Sequence, residues 1–78
     1  MVKEKLIGLT AIFEEAEEGG YVAYLEEISG VNTQGETLEE ARENLVDALK
    51  LMLETNRETV EKEIAGRQVI KEKITVEI

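Results

Sequence analysis

From Leu6 to Phe13 apolar residues recur at every second position, with Ile7, Leu9, Ala11 and Phe13 on one parity. Side chains of a strand alternate between two faces, so this period predicts a strand with one buried face. Leu6 and Ile12 lie on the other parity and predict partial cover there too. Glu17-Glu18-Gly19-Gly20 follows, and paired glycines supply the positive φ that tight hairpin turns need. Tyr21-Val22-Ala23-Tyr24-Leu25 reads as the returning strand, broken at Ser29-Gly30. Val31-Asn32-Thr33-Gln34 makes a short third strand ending at Gly35, which completes an antiparallel meander.

The period then changes to three and four. Leu38, Ala41, Leu45, Ala48, Leu49 and Met52 form one apolar stripe of a helix, widened by Val46, Leu51 and Leu53. Thr37-Leu38-Glu39-Glu40 has the form of a capping box, with Thr37 accepting from the backbone three residues on and two acids at the positive end of the helix dipole. A second seam through Leu49, Leu53, Val60 and Ile64 carries the helix towards Gly66, a natural stop. A break near Thr55-Asn56, both poor helix formers, is the alternative. Beyond Gly66, Ile70, Ile74, Val76 and Ile78 share one parity, which predicts a half-buried terminal strand. The expected architecture is α+β, in the order β-β-β-α-β, with one long helix packed on one face of a four-stranded sheet and residues 1–78 as a single domain.

Charge adds a second pattern. The 78 residues carry a net charge of −9, yet no basic residue occurs between Lys5 and Arg42. That interval holds Glu14, Glu15, Glu17, Glu18, Glu26, Glu27, Glu36, Glu39 and Glu40, which account for the whole imbalance. Such a stretch repels phosphates and attracts basic partners, so direct nucleic-acid binding is not expected. The plain alternative is a surface that is merely soluble. A core this small needs reinforcement, and with neither Cys nor His present, disulfides and ordinary zinc or haem sites are excluded. Association remains, so a homo-oligomer is expected. No apolar run is long enough to span a bilayer and the N-terminus lacks a signal-peptide pattern, which points to the cytoplasm and away from membranes.

The same composition removes most catalytic chemistry. Without His or Cys there is no imidazole base, thiolate or Ser-His-Asp triad. Asp47 is the one aspartate, set in mid-helix between Val46 and Ala48, where solvation or an interface suits it better than metal binding. Glu26 and Glu27 are consecutive on a strand and point to opposite faces, so they do not make an acid/base pair. No GxGxxG or Walker-type sequence is present, and Arg67, Lys71 and Lys73 form only a mild basic cluster interrupted by Glu72. No catalytic, cofactor-binding or metal-binding residue is therefore assigned, and the protein is not expected to be an enzyme. Tyr21 and Tyr24 lie on alternating parities, one suited to the core and the other to an interface.

The run Gly20-Tyr21-Val22-Ala23-Tyr24-Leu25-Glu26-Glu27-Ile28-Ser29-Gly30, then Thr33-Gln34-Gly35-Glu36-Thr37-Leu38-Glu39-Glu40-Ala41 and Asn44-Leu45, resembles the HicB-like antitoxin domain. The most specific part is Thr33-Gln34-Gly35 directly before the capping box. Gly30 and Gly35 free the backbone at the ends of the third strand, so the motif identifies a fold and not a reaction. The resemblance implies a truncated ribonuclease H-like domain without that enzyme's catalytic acids. It also implies a protein-binding module of a type II toxin–antitoxin system, occluding HicA, a small basic toxin that cleaves RNA. Ser29 and Val31 depart from the family's frequent Pro and Cys. The sequence ends at Ile78, so the resemblance is to a short, free-standing member without the DNA-binding domain, and operator binding is not expected. Glu14, Glu15, Glu17, Glu18, Tyr24, Glu26 and Glu27 are the expected partner-binding residues. The alternative is a free-standing oligomeric domain with a scaffold or regulatory role and no toxin partner. A minimal nuclease is a third reading, opposed by the shortage of Asp and His.

Overall fold

A computed structural model describes residues 8–74. Three antiparallel strands, β1 (Ala11–Glu15), β2 (Tyr21–Leu25) and β3 (Asn32–Gly35), lie in the order β1-β2-β3 and are followed by one helix, α1 (Leu38–Ile64). The architecture is α+β. β1 and β2 pair from Ala11↔Leu25 to Glu15↔Tyr21, and β2 and β3 from Tyr21↔Gly35 to Tyr24↔Asn32. The first hairpin closes through the Ala16 N–H donating to the Gly20 carbonyl at 3.0 Å and the Gly19 N–H donating to Ala16 at 3.0 Å. Both glycines have positive φ, +96° and +79°, as that turn requires.

The helix begins where the capping logic places it. The Thr37 hydroxyl accepts from the Glu40 N–H at 3.0 Å, with Thr37 itself in extended backbone. The reciprocal half of the box, Glu40 onto the Thr37 N–H, is not made among the described residues. α1 runs unbroken through Thr55-Asn56, so the alternative of a break does not occur, and the Thr59 hydroxyl donates to the Thr55 carbonyl at 2.9 Å. Gly66, at φ +79°, turns the chain out of the helix as expected.

Ala23, Leu25, Val31, Ala41 and Leu45 form the buried core, ringed by Leu9, Phe13, Tyr21, Ile28, Ala48, Leu49 and Met52. The sheet contributes its odd-numbered face and the helix its first four turns. β3 lies closest to α1 because Gly35 has no side chain: a Cβ there would stand 2.5 Å from the Ala41 nitrogen and 2.9 Å from its Cα. Gly35 is thus needed for close approach, whereas Gly30, at φ +87° in open space, is needed for backbone conformation. Asn44 secures the same contact by donating its side-chain N–H to the Gln34 carbonyl at 2.9 Å.

A 27-residue helix spans about 40 Å, whereas a five-residue strand spans about 17 Å. The second half of α1 therefore projects past the sheet. The molecule measures 51 × 32 × 16 Å, with a radius of gyration of 16.3 Å against about 11–12 Å for a compact domain of this length.

Two expectations change. β1 begins at Ala11 instead of Leu6, and Leu6 and Ile7 lie outside the described residues. The expected terminal strand does not form over residues 70–74: the chain from 68 to 74 is irregular and stays near the distal helix, where the Lys71 Nζ is 3.8 Å from the Glu61 carboxylate. Thr75, Val76, Glu77 and Ile78 lie outside the described residues. The described sheet thus has three strands, because the ladder that would hold a fourth is not made there. Among the described residues no helix is long and apolar enough to cross a membrane.

Candidate functional site

Strand direction decides which acids meet. In an antiparallel meander the β1–β2 turn and the end of β3 fall at the same edge of the sheet, and the Tyr21↔Gly35 pair marks that edge. Glu15, Glu17 and Glu18 surround the hairpin turn there, and Glu36, Glu39 and Glu40 enter from the β3–α1 connection. Glu18, Glu36 and Glu40 line one shallow recess of about 350 Å³, floored by Tyr21 and Gly35. All six are exposed. The nearest basic residue along the helix, Arg42, is turned away onto the Phe13 ring, 5.6 Å from its centroid.

The even-numbered face of the sheet lies opposite the helix. Cross-strand register puts Ile12 beside Tyr24 and Asn32, and Glu14 beside Val22 and Gln34, on this outer face. No described helix or strand packs over it. Tyr24 and Ile12 are half-buried by their neighbours alone, so the expected cover of Ile12 comes from within the sheet and not from a second layer. The Tyr24 hydroxyl donates to the Glu14 carboxylate at 3.3 Å. Partial desolvation, reinforced by that adjacent carboxylate, holds the Tyr24 phenol above its ordinary value. Tyr21, on the opposite parity, packs against the core.

Glu26 and Glu27 stand at the far end of β2. Glu26 is exposed, and its N–H donates to the Thr10 carbonyl at 3.0 Å. Glu27 is occupied structurally: one carboxylate oxygen accepts from the Thr10 hydroxyl and the other from the Thr10 N–H, both at 2.7 Å. The side-chain bond, and then the backbone bond, hold the Glu27 carboxyl below the usual carboxylate value, against the opposing effect of desolvation.

The expected binding residues are therefore divided. Glu14, Glu15, Glu17 and Glu18 gather at one end and Tyr24 reaches that group through Glu14, while Glu26 and Glu27 do not join it. Glu36 and Glu40 are not among the expected residues, yet they line the same recess as Glu18. The meander topology that brings them there follows from the two turns, so the signal was present in the sequence. Among the described residues no three carboxylates converge to hold a metal ion. Chemically, the arrangement offers a field of exposed negative charge beside an open sheet face with an aromatic near its centre.

The model of the UPF0150-like family matches residues 9–62. A UPF0150 protein of Synechocystis is 48% identical over 52 residues, which cover 67% of this chain and 72% of the relative. A UPF0150 protein of Archaeoglobus fulgidus is 32% identical over 62 residues, covering 80% of this chain and 90% of its own. No solved structure matches significantly. The matched span runs from the start of the sheet to the last turn of α1, and so includes every residue of the acidic end.

Proposed function

The chain belongs to the UPF0150-like family, and from that premise we propose that it is a non-catalytic protein-binding module resembling a HicB-like type II antitoxin. Its partner is a small basic protein of the HicA-like, RNA-cleaving kind, which it occludes through the acidic end of the sheet. The observation that carries this reading is the convergence of Glu15, Glu17, Glu18, Glu36, Glu39 and Glu40 on one edge, next to Glu14 and Tyr24 on the open face. A basic RNA-binding surface docked there would be neutralised where it normally holds phosphate. Charge draws the partner in, and the apolar centre of the outer face, Ile12, Val22 and Tyr24, supplies contacts that exclude water.

The finer fold that goes with this reading is truncated ribonuclease H-like, a sheet of four strands with one helix on its face. Co-expression with a small basic protein encoded beside this chain tests the functional proposal. A complex that co-purifies, suppresses RNA cleavage and weakens as salt rises is the expected result. A neighbouring basic protein that remains active and unbound at low salt would overturn it.

A further inference from the structure

α1 carries a second apolar stripe that its own sheet does not cover. Successive helical residues are separated by 100°, so Val46, Leu53 and Val60, spaced by seven, fall within about 40° of one another. They lie about 110° round the helix from Ala41, Leu45, Ala48 and Met52, which face the sheet. Their exposures are 46%, 53% and 50%. At the distal end the returning chain extends the stripe: Val60, Ile64 and Ile70 line an open trough of about 710 Å³, and Ile70 is 92% exposed.

We propose that this distal face is the interface of a homodimer, in which two copies of α1 cross antiparallel near Leu53 and Asn56. Three observations select a second copy as the occupant. The first is area. With Ile64 and Ile70 the stripe leaves on the order of 450 Å² of apolar surface outside, as large as the ~300–600 Å² of an ordinary monomer's largest patch and a little over half of the ~800 Å² each partner gives to a standard interface. The second is charge. From Lys50 to Lys73 there are six basic and five acidic residues, so this half of the molecule is nearly neutral and meets its own copy without net repulsion. A strongly basic partner finds no complement there. The third is distance. An antiparallel crossing sends the two sheets to opposite ends, and each acidic edge then lies several Debye lengths, of about 8–10 Å each, from the other. Among the described residues five are buried, none of them a large side chain fully enclosed, a small core whose burial the dimer increases.

The interface leaves the acidic edge and the outer sheet face free, so it stands whether or not that end binds a toxin. Light scattering on the eluting protein, with helicity followed by circular dichroism, tests it. The wild-type chain is expected at twice the chain mass, unchanged by high salt because the contact is apolar. Leu53→Glu and Val60→Glu should each weaken the dimer by roughly a hundredfold or more, since each buries an unpaired charge. Leu51→Glu should leave it intact, because Leu51 is 65% exposed on the opposite side of the helix. The chain has no cysteine, so Asn56→Cys adds a test that does not depend on destabilised variants: a disulfide-linked dimer should form under mild oxidation. A monomeric wild-type chain, a dimer that survives both glutamates, or an Asn56→Cys chain that stays uncrosslinked would each overturn the proposal.

Discussion

Gly35→Ala isolates the contact on which the whole architecture turns, because it adds one methyl group and nothing else. The added Cβ would meet three backbone atoms: the Ala41 nitrogen at 2.5 Å, the Ala41 Cα at 2.9 Å and the Glu40 carbonyl carbon at 2.9 Å. None can rotate away, so α1 has to retreat from β3. Overpacking of this kind costs about 1–3 kcal/mol. Retreat also stretches the Asn44 bond to the Gln34 carbonyl, whose loss adds about 0.5–1.5 kcal/mol. The sum, about 1.5–4.5 kcal/mol, is a large share of the roughly 4–12 kcal/mol expected for a chain this short. Gly30→Ala is the control: it meets no atom within 4 Å but sits at φ +87°, and should cost about 1–2 kcal/mol through backbone strain alone. Urea unfolding followed by circular dichroism measures both. Equal losses at the two positions, or a Gly35→Ala protein as stable as wild type, would refute the close-approach argument.

Thr37→Ala should cost about 1 kcal/mol and fray the first turn of α1, because the Glu40 N–H loses its acceptor; amide exchange at Glu39 and Glu40 reads it directly. Glu27→Gln should alter the acid limb of the stability curve. The folded Glu27 carboxyl titrates below its ordinary value of 4.5, so its contribution is whole above that value and is lost as pH falls through the lowered one. The stability gap between wild type and Glu27→Gln should accordingly narrow on acidification, and a gap independent of pH would contradict the Thr10 clamp.

Local signals were strong enough to place β2, the Gly19-Gly20 hairpin, the Thr37 cap and the Gly66 stop from the sequence. Each depends on a residue and its immediate neighbours. The Thr55-Asn56 question was not legible because weak propensity at two residues competes with the cooperativity of a long helix, and propagation prevails. The terminal alternation of Ile70 and Ile74 has strand period, but a strand also needs an edge to pair with. Here residues 68–74 lie beside α1, where Lys71 meets Glu61. Alternation alone carries no information about which edge that would be. For the site, the acidic run was visible but its partition was not. Glu27 looked like one more surface charge, and its double bond to Thr10 depends on a contact across 17 residues. Glu36 and Glu40 join Glu18 through the Tyr21↔Gly35 pairing, a consequence of topology that linear spacing conceals.

Two charge-matched variants, each without four carboxylates, test the account most directly. One carries Gln at Glu14, Glu15, Glu17 and Glu18, and the other carries Gln at Glu54, Glu58, Glu61 and Glu63 on the distal helix. Affinity for the proposed basic partner is measured for both by calorimetry at low and high salt. The account predicts that the first loses at least about tenfold in affinity and most of its salt dependence, while the second binds like wild type. Equal losses in the two would mean that net charge alone attracts the partner, and the acidic edge would then have no claim to be a binding surface.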